Sequence, residues 1–235
     1  MAVILRSQMR FSLTVTCAAV QLLAAATPAG FAPIFNGTNL DGWHVSEVNG
    51  HGNTKAWTVK NEILMGTQEP VGNGGILLTN KKYKNFEISL EVNPDWGCDG
   101  GLFLRSNEKG QAYQVMIDYL PGGSVGGIYG EGLKGIEDKT GSGDKTGKDW
   151  QQYWKKGEWN QIRARIEGEV PHIQVWLNGH QLVDWMDSVN HSADGATDGM
   201  IALQVHRTSP EWKSQRWVAG GYHRFRNIAI KELNH

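Results

Sequence analysis

Among its 235 residues the chain has little cysteine, no surplus of charge and few proline residues, and the first two shortages remove whole classes of protein. Only two cysteines occur, Cys17 and Cys98, and Cys17 lies in a leader-like segment. A lone remaining cysteine cannot staple a fold, so the domain must stand on its core. Lys and Arg total 23 against 24 Asp and Glu, a formal charge of −1 that gives no electrostatic footprint for nucleic acid. CxxC pairs and HExxH are missing, which removes the strongest zinc signatures. Gly122-Gly-Ser-Val-Gly126 and Gly130-Glu-Gly-Leu-Lys-Gly135 match GxSxG and GxGxxG in letters only, since no helix is expected after either, so serine-hydrolase and nucleotide-dependent chemistry lack the strand–turn–helix context those strings need.

What the chain does have is 30 glycines, 10 tryptophans and 40% hydrophobic residues. Dispersed glycine among short apolar runs implies many turns and close backbone approaches, as in an all-β protein. The first residues are set apart: Arg6 and Arg10 precede an apolar, small-residue stretch from Phe11 to Ala26, followed by Ala24-Ala25-Ala26 and Thr27-Pro28-Ala29 as cleavage sites. Residues 1–29 therefore read as a signal peptide and 30–235 as one domain, secreted or periplasmic. The apolar stretch is about 16 residues, short of the ~20 that span a bilayer, so no membrane association is expected.

Strict alternation in Phe86-Glu-Ile-Ser-Leu-Glu-Val92 sends Phe86, Ile88, Leu90 and Val92 to one face and Glu87, Ser89 and Glu91 to the other. Further strands are expected at Trp57–Val59, Ile63–Met65, Ile76–Leu78, Leu102–Arg105, Tyr113–Asp118, Ile162–Ile166, Ile173–Leu177, Met200–His206 and Phe225–Leu233. Lys60-Asn61 and Asn178-Gly179-His180 read as tight hairpin turns. Trp43 and Trp57 are expected in the core. Short strands of this number build a sandwich or jelly roll.

The same alternation sorts the polar residues. Gln204 and His206 share a face opposite Ile201, Leu203 and Val205, and Gln114 and Asp118 share a face opposite Tyr113, Val115 and Ile117. Arg105 ends its strand, and Glu91 points outward on its own. If these strands are neighbours, Glu91, Arg105, Gln114, Asp118, Gln204 and His206 converge on one surface, with Trp96 and Trp154 as flanking rings suited to a sugar. The polar stretch from Gly130 to Gly157 reads as a lid or rim, or else as a solvated loop. No fixed spacing identifies a metal site; Asp95, Asp99, Glu91 and His206 could supply one only if the fold gathers them.

Eight stretches then stand in order: Phe35-Asn-Gly-Thr-Asn-Leu-Asp-Gly-Trp43, Gly100-Gly-Leu-Phe-Leu-Arg105, Tyr113-Gln-Val-Met-Ile-Asp118, Gly127-Ile-Tyr-Gly130, Gly157-Glu-Trp-Asn160, Leu177-Asn-Gly179, Gly199-Met-Ile-Ala-Leu-Gln-Val-His206 and Phe225-Arg-Asn-Ile228. Together they resemble the 3-keto-disaccharide hydrolase family from about Phe31 to Leu233. The resemblance implies a concanavalin A-like jelly-roll β-sandwich of two antiparallel sheets, a ligand groove on one of them, and activity on 3-keto-glycosides. Two departures stand out. Asp99-Gly100-Gly101 replaces an Asn-Ser-Gly, and Tyr113-Gln114-Val115-Met116 carries an amide where the family often has a carboxylate.

Oxidation of a sugar at C3 acidifies the C2 proton, so a base can remove it, the enolate can expel the C1 aglycone, and water can add across the double bond. That chemistry assigns the base to His206 or Asp118 and the oxyanion contact to Arg105, with a divalent metal as the cofactor left open. Substrate contacts fall to Glu91, Gln114, Tyr129, Gln204, Trp96 and Trp154, and a sugar dehydrogenase is expected upstream. Two other classes remain in view: a lectin-like carbohydrate-binding module, and an endoglucanase-like hydrolase, for which the Glu-x-Asp-x-x-Glu array is missing.

Overall fold

The computed structural model describes residues 27–136, 141–211 and 215–234. Most of the expected signal peptide, residues 1–26, lies outside the described residues. Among those described there is no α-helix, only two short 3-10 turns at Trp150–Gln152 and Ala193–Gly195.

Fifteen strands form two antiparallel sheets. In chain order they are β1 (Ala32–Pro33), β2 (Trp43–Val45), β3 (Trp57–Lys60), β4 (Ile63–Gly66), β5 (Gly75–Tyr83), β6 (Phe86–Val92), β7 (Gly100–Ser106), β8 (Ala112–Ile117), β9 (Val125–Glu131), β10 (Ser142–Asp144), β11 (Asn160–Glu167), β12 (His172–Leu177), β13 (His180–Met186), β14 (Gly199–Val205) and β15 (His223–Glu232). The nine-stranded sheet runs β10-β13-β12-β11-β6-β15-β4-β3, with β1 also paired to β15. The six-stranded sheet runs β2-β5-β14-β7-β8-β9. The protein is thus an all-β jelly-roll sandwich.

Period-2 patterning explains the packing. On β6 the buried Phe86, Ile88, Leu90 and Val92 face Leu77, Leu102, Leu104, Val115, Ile201, Leu203 and Val205 of the other sheet in one continuous core, with Trp43 and Trp57 also inside. The outer face of the six-stranded sheet is divided. One half carries a second apolar cluster of Ile76, Leu78, Phe103, Ala112, Met200 and Ala202, and the other half is polar.

Two turns show how local chemistry sets register. Asn178 and Gly179 both have positive φ (49° and 86°) and join β12 to β13 as a two-residue turn. The β3–β4 turn is Asn61-Glu62 (φ 52° and 61°), one residue later than the sequence suggests, because Lys60 still pairs with Ile63. The sequence pattern also underestimates β5, whose outer half continues through Lys81 and Lys82 to Tyr83.

The stretch from Gly130 to Gly157 is a bridge between the sheets, and its described residues do not form a lid. Ser142–Asp144 adds an edge strand beside β13, Lys145 accepts from the Ile128 amide at 2.7 Å, Thr146 accepts from Ser124 Oγ at 2.8 Å, and Trp150 is buried. Among its described residues Ser142, Asp144 and Thr146 face solvent, Lys145 is buried against the Trp185 ring, and the backbone completes the ladders.

Where β5 and β14 meet, Gly74 lies so near the neighbouring chain that a Cβ there would stand 2.3 Å from the Val205 carbonyl oxygen and 2.7 Å from the Arg207 amide. Both contacts are backbone and cannot swing away. Gly74→Ala is expected to cost more than about 2 kcal/mol in chemical denaturation, by forcing apart the segment that carries His206.

Candidate functional site

The polar half of the six-stranded sheet opens into a cavity of about 400 Å³ lined by His51, Asp99, Gln114, Asp118, Tyr129, Glu131, His206 and Arg216, among others. A glycine makes its floor. Gln114 on β8 and Gln204 on β14 are separated by β7, and at that crossing β7 has Gly101, where a Cβ would sit 2.3 Å from Gln114 Nε2. With no side chain in between, Gln114 reaches over the strand and its Nε2 donates to Gln204 Oε1 at 3.0 Å.

His206 follows β14, and its backbone is held on three sides. Its amide bonds the Asp99 carbonyl at 3.3 Å, its carbonyl accepts from Gln68 Nε2 at 2.7 Å, and Gly74 packs beneath it. The Nδ1 nitrogen lies 2.6 Å from the Arg207 carbonyl, so in the neutral ring Nδ1 carries the hydrogen and Nε2 the lone pair. Burial holds this imidazole below its ordinary value. The lone-pair nitrogen lies 3.8 Å from Asp99 Oδ2.

Asp99 and Asp118 share one cation. Arg216 reaches Asp99 Oδ2 through Nε at 3.4 Å and contacts Asp118 through its Nη2. Asp118 also accepts from the Leu120 amide at 3.1 Å. Burial, with the charge of Asp118 beside it, pushes the Asp99 carboxyl up to about 8 against the opposing pull of Arg216. Both shifts favour the uncharged forms, protonated for Asp99 and neutral for His206.

His51 closes the far side. The Asn49 side chain ties the loop that carries it, donating to the carbonyls of Ser46 and Gly52 and accepting from the His51 amide. The ring sits edge-on to Phe103, 5.8 Å from the His206 ring, with Nε2 3.3 Å from Glu131 Oε1. The amide nitrogen of Gln204 lies 3.1 Å from His51 Nδ1, which links the two histidine-bearing segments through the floor.

Of the residues singled out in the sequence, His206, Asp118, Gln114 and Tyr129 line this cavity and Gln204 lies under it. Four others lie elsewhere. Glu91 is on β6 of the opposite sheet, bound to Arg226 Nε at 2.5 Å and to Asn227 at 3.1 Å, since β6 pairs with β11 and β15 and not with β8. Arg105 turns into the protein at positive φ (53°), where Nε donates to the Lys84 carbonyl at 2.7 Å and Nη2 to Asn85 Oδ1 at 3.0 Å. It is a buried strap from the end of β7 to the β5–β6 turn, and Arg216 and Arg207 line the cavity instead. Trp96 and Trp154 line a second hollow that shares no lining residue with the first.

The suggested metal ligands are likewise dispersed: Asp95 pairs with Arg224 in the second hollow and Glu91 with Arg226. Among the described residues no group of three or more His, Cys, Asp or Glu side chains is arranged to hold an ion. Arg224 and Arg226 gave no clear alternation because β15 bulges between Arg226 and Ala229, with Asn227 at φ 52°.

His51, Glu131 and Arg216 escape strand-pattern reasoning. The first and last sit in loops, where no period assigns a face, and Glu131 ends a glycine-rich strand. The one available signal was His51 itself, standing between Gly50 and Gly52.

Residues 30–231 match the family of 3-keto-alpha-glucoside-1,2-lyase-like domains. A 3-keto-disaccharide hydrolase from Bacteroides thetaiotaomicron is 22% identical over 243 residues, covering 87% of this chain and 79% of that protein. Among solved structures, a glycosyl-hydrolase candidate from Parabacteroides distasonis superposes with a TM-score of 0.58 at 20% identity, covering 87% of this chain and 94% of the other. The carbohydrate-binding module CBM66 from Bacillus subtilis superposes at 0.51 with 14% identity, covering 83% and 98%.

Two substitutions separate the site's structural and chemical parts. Asp99 has a folded-state pKa above its unfolded one, so the unfolded chain loses that proton first and stability falls as pH rises from about 4 to about 8. Asp99→Asn removes this slope, and calorimetry at pH 7 should show a gain on the order of 1–3 kcal/mol. Arg105→Ala should instead lose about 1–3 kcal/mol, because it strands the Lys84 carbonyl.

Proposed function

The chain belongs to the family of 3-keto-alpha-glucoside-1,2-lyase-like domains, and on that premise we propose that it is an exported carbohydrate-active enzyme that cleaves 3-keto-glycosides by elimination and hydration. The observation that carries this reading is the placement, in one cavity, of His206 Nε2 3.8 Å from Asp99 Oδ2, with burial favouring the uncharged form of each. Elimination needs a base and an acid ready together at neutral pH, and this pair supplies both.

The steps follow from the geometry. The Nε2 lone pair of His206 takes the C2 proton of a bound 3-keto-glycoside, and the electrons move onto the C3 oxygen. Arg216, on the same wall, offers its positive charge to that enolate. The electrons return to close the C1–C2 double bond as the C1–O bond breaks, and Asp99 gives its proton to the departing alcohol. Water then adds across the unsaturated ketone: Asp99, now ionised, takes one proton of the water as its oxygen bonds to C1, and His206 returns its proton to C2. The sum is a 3-keto-sugar plus an alcohol, with both side chains restored.

Asp118 serves by holding Arg216 and by keeping Asp99 protonated. Gln114, Tyr129 and His51 offer donors and acceptors for the remaining hydroxyls. The ketone must be made first, so a sugar 3-dehydrogenase belongs upstream. The basic, then apolar, then small-residue start of the chain supports export.

The direct test offers the protein a chromogenic 3-keto-glucoside beside its unoxidised parent. Release from the ketone alone supports the proposal, and binding of both without release would make the protein a carbohydrate-binding module. His206→Ala should lower kcat by about 10²–10⁴ while the melting curve keeps its shape. The pH profile of kcat/KM should rise through a limb below the ordinary imidazole range and fall through one near pH 8. Asp118→Asn removes the neighbouring negative charge, so the alkaline limb should move to lower pH.

A further inference from the structure

A second hollow, of about 230 Å³, opens where the β6–β7 connection, the residues after β8 and the segment before β11 meet. Its wall is a stepped row of three rings. Trp96 and Tyr119 stand 4.9 Å apart at 38°, and Tyr119 and Trp154 5.6 Å apart at 17°. Tyr119 and Trp154 pack against the core, whereas Trp96 rests on Tyr119 and under the Lys156 ammonium and still leaves 56% of its surface in water.

Polar groups surround the rings. Arg224 and Asp95 form a two-pronged pair, Nη1–Oδ1 2.5 Å and Nη2–Oδ2 3.2 Å, and Asp95 is further fixed by the Tyr222 amide at 3.0 Å. Lys156 Nζ lies 3.7 Å from the centre of the Trp96 ring, and Asn93 completes the rim. A guanidinium has five N–H groups, of which this pairing engages two, and a carboxylate keeps lone pairs beyond those it has used. A fixed planar donor–acceptor edge beside an exposed indole matches a pyranose ring, whose C–H face is apolar and whose rim is hydroxyls. The volume is below the ~300–1,000 Å³ of ordinary small-molecule sites, so it suits one ring rather than a chain.

We infer that this hollow is a second glycan-binding site, one that docks a single pyranose unit on Trp96 while the Asp95–Arg224 pair reads its hydroxyls. It is distinct from the His206 cavity, because the two share no wall residue, although the adjacent residues Asp118 and Tyr119 place one in each. A glycan held here keeps the enzyme near sugar polymers whatever chemistry His206 performs.

The test uses unoxidised oligosaccharides, so it does not depend on turnover. The chain from residue 30 onward is titrated with cellotetraose, maltotetraose and xylotetraose, and the indole N–H signals are followed by NMR, with Trp96→Phe and Trp154→Phe identifying their own peaks. At least one sugar should shift the Trp96 and Trp154 signals. Trp96→Ala, at an exposed position, should keep the wild-type melting temperature and bind at least tenfold more weakly, and His206→Ala should bind as the wild type does. If none of the three sugars moves either signal, or if Trp96→Ala binds undiminished, the second site does not exist. Absence of 3-keto-glucoside cleavage would defeat the proposed reaction and leave this result standing.

Discussion

One guanidinium faces two buried carboxylates, and a single positive charge can hold only one of them ionised where water is scarce. Asp118 takes the closer contact with Arg216 and accepts from the Leu120 amide. Asp99, mostly buried and 3.4 Å from the same cation, keeps its proton instead. Nothing in the identity of either aspartate fixes this division. It follows from which oxygen the arginine reaches first and from the desolvation both share.

That arrangement depends on backbone placements that only glycine allows. Gly101 lets one glutamine cross a strand to another, which joins the two walls of the cavity without a bulky residue between them. Gly74 lets the chain carrying His206 lie against the start of β5. The wider outer face would otherwise be filled as its other half is, by Phe103, Met200 and the small apolar residues around them. The polar cavity is thus a region where the sheet forgoes apolar packing, and its buried acid draws down stability in return for a proton held ready at neutral pH.

How much of this could be read in the sequence differs by element. Strict alternation located β6 to the residue, and it placed Gln204 with His206 and Gln114 with Asp118 on shared faces, because a pleat leaves no choice of side. Alternation cannot say which sheet a strand joins, and so Glu91 was grouped with residues on the far side of the core. Arg105 was misplaced for a different reason: at the strand's end positive φ turns its side chain inward, and no periodic pattern extends past such a turn. Arg216 and His51 come from loops, where no strand period assigns a face; the His51 loop is tied by Asn49 bonds within its own turn, which alternation does not read. The strand-borne floor of the cavity was legible and its loop-borne walls were not.

The division of charge also bears on which route to glycosidic cleavage this site suits. Direct displacement with retention needs an ionised carboxylate facing the anomeric carbon beside a protonated one. Here Asp118 is nearly enclosed and tied to Arg216, so attack would require breaking that contact and pulling the carboxylate away from the guanidinium. Elimination asks for less. Its base is an imidazole whose lone-pair nitrogen is set by the Arg207 carbonyl, and its acid is already protonated. The same guanidinium that denies Asp118 a nucleophile's freedom is placed to receive the charge of an enolate, so the interaction that disfavours one mechanism is the one the proposed mechanism uses.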